Sequence, residues 1–152
     1  MLLSKLINEG LVSFEDSFET WQDAIVGSCD KLVEKGIVKK EYSDEIIECL
    51  NKYGPYIVII DGVAMPHSTM GGNNVLDTAI SFMKVDKEVV FEHEGEVKKA
   101  TLFFTLAAKS SDEHLQNMVS LTELLSDEEV IEQLKAVKNM DELKTLAKKL
   151  EN

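Results

Sequence analysis

Tyr56-Ile57-Val58-Ile59-Ile60, bounded by Gly54-Pro55 before it and Asp61-Gly62 after it, is the stretch on which the fold reading turns. It is short, β-branched and apolar on both faces, and so predicts a strand buried in the middle of a sheet. Upstream lie two amphipathic helical patterns. In the first, Phe18, Trp21, Ile25, Cys29, Leu32 and Val33 recur at three- and four-residue intervals, with Asp16 or Ser17 as the expected cap and Gly36 as the stop. The second starts near Lys40, places Tyr42, Ile46, Ile47 and Leu50 opposite Glu41, Asp44, Glu45 and Glu48, and ends at Gly54-Pro55. Downstream, strands are predicted at about 77–84 and 100–107, with a small exposed hairpin between them around Glu94-Gly95. The last third reads as three helices: 114–125 after a cap at Ser111 or Asp112, a second opened by the Ser126/Glu129 capping-box spacing, and a third over 139–150. No repeat or linker interrupts this order. It predicts one α/β domain over residues 1–152, a three-layer sandwich in which a mixed β-sheet is flanked by helices on both sides.

Composition narrows the function. With 44% hydrophobic residues, two prolines and eight glycines in 152 residues, the chain can bury a core of its own. Its 28 acidic against 16 basic residues give a net charge of −12. That charge opposes binding to nucleic acid or an anionic membrane, where affinity depends on cations displacing counterions. Every one of the cations is a lysine; the sequence contains no arginine, so an anion site has to use lysine, imidazole, hydroxyl or backbone N–H groups. Cys29 and Cys49 stand twenty residues apart, without the spacing or neighbouring histidines of structural zinc. The N-terminal stretch mixes Lys5, Asn8 and Glu9 into its apolar residues, unlike a signal peptide, and no eighteen apolar residues run together. A reduced, cytoplasmic protein is expected.

The richest chemistry lies in Gly62-Val63-Ala64-Met65-Pro66-His67-Ser68-Thr69-Met70-Gly71-Gly72. A histidine just past a buried strand, fixed by a preceding proline and followed by hydroxyls and glycines, suits a nucleophile beside an anion site. The same Pro-His spacing is also what an ordinary loop histidine looks like. His114 opens a helix after the strand 100–107 and the polar Lys109-Ser110-Ser111-Asp112, and strand ends on one side of an α/β sheet are where sites assemble. It reads equally as a solvent-facing residue of a first turn. His93, among Glu92, Glu94 and Glu96, reads as solvated, and three histidines so dispersed do not suggest a metal. Met65, Met70, Met83 and Met118 read as packing.

Tyr53-Gly54-Pro55-Tyr56-Ile57-Val58-Ile59 followed by Gly62-Val63-Ala64-Met65-Pro66-His67 resembles the active-site signature of enzyme IIA components of the bacterial sugar phosphotransferase system. The subclass is the mannitol/fructose type, and the Tyr-Gly-Pro-Tyr-Ile approach is most similar to its ascorbate branch. The resemblance spans nearly the whole chain, from Trp21-Gln22-Asp23-Ala24-Ile25 to Leu124-Leu125-Ser126-Asp127-Glu128-Glu129-Val130-Ile131. It implies a phosphocarrier in which His67 accepts a phosphoryl group from phospho-HPr and passes it to a IIB component, on a cysteine in ascorbate systems. His114 would match the family's second histidine, which supports the phosphoryl group. The membrane component IIC, reached through IIB, would set the sugar, ascorbate or a relative. No cofactor or metal is implied.

Relatives usually carry glycine or alanine after the histidine, and the ascorbate branch often has arginine next; here Ser68 and Thr69 stand there. Phosphate binding is therefore expected from Ser68, Thr69, His114 and backbone groups. The acidic surface would suit a donor that is basic around its own histidine. Apolar residues near His67, such as Val63, Met65 and Met70, fit docking of HPr and IIB if exposed, and fit packing of the loop equally well. Two other roles fit the same residues: a regulatory interaction domain in which His67 phosphorylation controls a partner, and a catalytically silent relative.

Overall fold

The computed structural model describes residues 1–69 and 73–151. In chain order the elements are α1 (Leu2–Asn8), β1 (Val12–Glu15), α2 (Trp21–Glu34), α3 (Glu41–Tyr53), β2 (Gly62–Ala64), β3 (Ala79–His93), β4 (Glu96–Ala107), α4 (Ser111–Leu125), α5 (Glu128–Ala136) and α6 (Met140–Glu151). The four strands form one sheet in the order β1-β3-β4-β2. β3 and β4 are antiparallel, while the two outer strands run parallel to their neighbours. This is the mixed sheet between helical layers that the sequence predicts.

Alternation along β3 and β4 sorts the layers. Ser81 donates its hydroxyl to the Ser28 carbonyl at 3.2 Å, so the odd positions of β3 face α2. Trp21, Phe91 and Phe103 pack there, with ring centroids 5.9 and 6.1 Å apart, and α3 lies against α2. On the even face Phe82 stacks on Phe104, its cross-strand partner, at 4.7 Å. The Lys84 ammonium on that face is buried and donates to the Val137 carbonyl at 2.9 Å, tying the α5–α6 junction to the sheet. α1, α4 and α5 cover this second face, and α6 packs on α1.

Three expectations are corrected. The segment 56–60 is not a strand: Gly54 at φ 81° and Pro55 bend the chain, Tyr56 N–H returns to the Gly54 carbonyl at 2.7 Å, and Ile59 is 66% exposed. A second reversal at Gly62, with φ 86°, turns the chain, and the strand that enters the sheet is the return, Gly62–Ala64. Apolar composition predicted burial of Ile57 and Val58 correctly, but burial does not require pairing. Second, the small hairpin is the tip of one long β3–β4 ribbon, turned by Glu94 and Gly95 in left-handed conformation, with a bulge between Lys84 and Val89. Third, α1 and the edge strand β1 precede the first helix foreseen, and Thr20 rather than Asp16 or Ser17 caps α2, its hydroxyl accepting from Asp23 N–H at 3.1 Å.

Two stability measurements check this architecture by urea denaturation. Phe104→Ala empties the stacked pair on the even face and is expected to cost roughly 3–5 kcal/mol. Thr20→Ala removes only a helix cap and is expected to cost about 1 kcal/mol.

Candidate functional site

β2 is short because its task is to deliver the loop that carries His67. Val63 and Ala64 pair with Leu102 and Phe103 of β4, and the chain then leaves the sheet while staying tied to it: Leu106 N–H donates to the Pro66 carbonyl at 2.9 Å. Tyr42 of α3 adds a bridge, donating its hydroxyl to the Leu106 carbonyl at 2.7 Å and accepting from Ser68 N–H at 3.4 Å. His67 is thereby set beside the end of β4, where residues 108–110 lead into α4. Ser110 caps α4 one residue earlier than expected, its hydroxyl accepting from Glu113 N–H at 3.2 Å, and so fixes His114 in the first turn.

The two histidines, 47 positions apart in sequence, meet here: their ring centroids are 5.3 Å apart. His93 stays at the far end of the β3–β4 ribbon, beside Glu94. The His67 and His114 rings line a cleft of about 450 Å³ with Tyr42, Ser68, Thr69, Val75, Lys109, Ser110 and Ser111. Val75 is held there because Leu76 N–H and Lys39 N–H bond across to the Ile37 and Asn74 carbonyls at 2.8 Å. Lys109 is the one lysine among the described lining residues. At the start of α4 the amides of Ser111 and Asp112 have no intrahelical acceptor, so the positive end of that helix faces this side of the molecule.

His67 Nδ1 lies 2.6 Å from the Met65 carbonyl oxygen. A carbonyl cannot donate, so Nδ1 carries the proton and Nε2 keeps its lone pair. Burial pushes the His67 imidazole below its ordinary value; the Met65 bond opposes this and His114 adds to it. The ring is therefore neutral at physiological pH, with one nitrogen committed and the other available as a nucleophile.

Three residues around the histidine were not singled out by sequence reasoning. Tyr56 donates its hydroxyl to the His67 carbonyl and stands at 87° to the imidazole, centroids 5.2 Å apart. Cys49 lies behind the loop, its Sγ 3.4 Å from Thr69 Oγ1 and 3.9 Å from Ser68 Oγ. Burial raises the Cys49 thiol, but hydrogen bonding with Thr69, Ser68 and Tyr56 outweighs it and leaves the thiol below its ordinary value. Tyr42 was read only as part of an apolar helix face. The available signal was a polar tip recurring on that face, Tyr42 and Cys49 two helical turns apart. Of the two readings of Val63 and Met65, docking surface or loop packing, the burial of both supports packing. Met70, Gly71 and Gly72 lie outside the described residues. Exposed apolar side chains next in sequence to cleft-lining residues are Leu76, at 50%, beside Val75, and Leu115, at 63%, beside His114.

The family model for the phosphoenolpyruvate-dependent sugar phosphotransferase system, EIIA 2, matches residues 5–149. A mannitol-specific cryptic phosphotransferase enzyme IIA component of Escherichia coli (strain K12) is 34% identical over 134 residues, 88% of this chain and 89% of that protein. An ascorbate-specific PTS system EIIA component of Shigella boydii serotype 4 (strain Sb227) is 28% identical over 143 residues, 93% of this chain and 92% of that protein. Among solved structures, the complex of enzyme IIAMTL and phosphorylated enzyme IIBMTL from Escherichia coli superposes with a TM-score of 0.75 at 30% identity, covering 90% of this chain and 92% of that one. No helix among the described residues is long and apolar enough to cross a membrane. A model match over nearly the full chain, on a fold that brings two histidines to one cleft, makes this protein a member of the EIIA 2 family of the sugar phosphotransferase system, whose components act in phosphoryl transfer.

Proposed function

We propose that the chain is a single cytoplasmic IIA domain in which His67 accepts a phosphoryl group from phospho-HPr and passes it to a IIB component. One observation carries the reading: the Nδ1–H of His67 is spent on the Met65 carbonyl, which leaves Nε2 unprotonated on a neutral ring facing a polar cleft. In the forward step the Nε2 lone pair attacks the phosphorus of the donor. The new N–P bond forms as the donor's N–P bond breaks, and that electron pair returns to the donor imidazole. In the second step a nucleophile of IIB attacks the same phosphorus and His67 leaves as the neutral imidazole. Neither step needs a proton removed from Nε2, so no further general base is required.

The remaining lining residues answer the charge that arrives. Phosphoryl transfer depends on positioning and on fixed donors aimed at the equatorial oxygens. His114, Lys109 and the first-turn amides of α4 supply such donors in place of an arginine. The Thr69 hydroxyl, with Cys49 as its neighbour on the inner side, can turn its own proton outward to a phosphoryl oxygen, and Ser68 stands beside it. The phosphorylated IIB partner of the similar Escherichia coli protein supports a IIB acceptor here. The specificities of the relatives support ascorbate or mannitol as the class of sugar handled downstream, at the membrane component IIC.

Intact-protein mass after incubation with phosphoenolpyruvate, enzyme I and HPr tests the reading. One acid-labile phosphoryl addition is expected in the wild type and none in His67→Ala, while His114→Ala is expected to retain it but to form it about a hundredfold more slowly. An addition that survives His67→Ala refutes the assignment, and a phosphorylated form that no IIB protein discharges would point to the regulatory role. An NMR titration checks the electrostatics. The His67 midpoint is expected below 6.5, so the nucleophilic form persists as the pH falls through the ordinary imidazole range. For stability the sign follows from the lowered value. The folded state favours neutral His67, a contribution complete above 6.5 and lost as the pH falls below it, where the unfolded chain binds the proton first.

A further inference from the structure

We propose that Tyr56 is the positioning residue of this site, holding the His67 imidazole so that Nε2 and not Nδ1 is presented to the phosphoryl donor; this rests on the phosphocarrier reading above. A histidine side chain has two torsions, and a half-turn about Cβ–Cγ exchanges Nδ1 with Cδ2 and Nε2 with Cε1, which breaks the Met65 bond and takes the Nε2 lone pair out of line. The bond from Nδ1–H to the Met65 carbonyl opposes that exchange, but it holds only if the backbone carrying His67 stays in place. Tyr56 secures both. Its hydroxyl donates to the carbonyl of His67 itself, eleven residues on, and its ring stands at 87° to the imidazole, where a flipping ring would have to sweep.

The local fold exists to place this side chain. Gly54, at φ 81°, and Pro55 turn the chain at the end of α3, and Tyr56 N–H closes the turn on the Gly54 carbonyl at 2.7 Å. A Cβ on Gly54 would stand 3.0 Å from the His93 ring, so the turn is also packed from the β3–β4 ribbon. Burial holds the Tyr56 phenol well above its ordinary value, so it stays a donor over the working pH range. The same hydroxyl interacts with the Cys49 thiol, which reaches Thr69, so one side chain links the histidine backbone to the loop after it. Tyr56 touches no reacting atom. It neither gives nor takes a proton in the transfer, and acts through His67.

The test compares Tyr56→Phe, which keeps the ring and loses the hydroxyl, with Tyr56→Leu and with Tyr53→Phe as an exposed control. Two readouts are taken: single-turnover phosphorylation by phospho-HPr over a range of donor concentrations, and the imidazole nitrogen spectrum of the unphosphorylated protein. The titratable groups facing His67 in that spectrum are His114 from α4, Tyr42 and Cys49 from α3, Lys109 beside the cleft and Tyr56 itself. Tyr56→Phe is expected to lower the saturated rate about tenfold with the half-saturating HPr concentration within about twofold, because alignment and not docking is lost. Its His67 is expected to populate both neutral tautomers and to titrate closer to 6.5, and Tyr56→Leu to do so more strongly. Tyr53→Phe is expected to change neither. An unchanged tautomer and titration in Tyr56→Phe overturns the proposal, as does a rate loss that follows thermal stability alone across the two Tyr56 variants. If HPr fails to phosphorylate the wild type, the donor reading falls, and the nitrogen spectra still decide the positioning role.

Discussion

The geometry of the cleft turns on a single hydrogen bond, from His67 Nδ1–H to the carbonyl two residues before it. It fixes the tautomer, commits one nitrogen and leaves the other with a lone pair, which is what the proposed phosphoryl acceptor requires. Such a bond between near neighbours is weak unless the backbone is already in place. The rest of the structure supplies that condition. Pro66 is tied to β4 through Leu106, Ser68 to α3 through Tyr42, and His67 itself to the Gly54-Pro55 turn through Tyr56. Three elements distant in sequence thus converge on three consecutive residues.

The electrostatic setting follows from a chain without arginine and with an excess of acid. A bidentate guanidinium clamp would stabilise a phosphoryl group strongly, and a carrier that must release its cargo gains from something weaker. Lysine, imidazole, hydroxyl and helix amides surround the cleft here, each a single-point donor. The carboxylates of Asp112 and Glu113 follow immediately on α4, and Glu113 is turned to the Ser110 hydroxyl at 3.3 Å. A neutral histidine among modest donors suits the proposed transfer, in which the group arrives and leaves by the same nitrogen.

Much of this was legible in the sequence, and the parts that were not share a cause. The helices α2 to α6 follow from three- and four-residue periodicity, since each is specified by residues within one or two turns, while their caps fall on neighbours of the residues expected: Thr20, Ser110 and, for α5, Asp127 in place of Ser126. The segment 56–60 failed because its composition reports burial of Ile57 and Val58 while the turns at Gly54 and Gly62 take its backbone out of the sheet. α1 and β1 went unread since seven and four residues carry too little periodicity to stand above their surroundings. Val63 and Met65 allow either docking or packing by sequence, because an apolar residue beside His67 carries no record of whether the tertiary structure covers it; both are buried.

The sequence by itself determined the layered α/β class, the acidic balance, the want of arginine and the Pro-His loop as the candidate site, because each is a property of composition or of residues adjacent along the chain. Tertiary structure alone decided that His114 stands 5.3 Å from His67, that Tyr42, Cys49 and Tyr56 form the wall behind the loop, and which ring nitrogen is free. These depend on how β2, β4, α3 and α4 meet, and a hydrogen bond between side chains tens of residues apart leaves no periodic trace in a sequence.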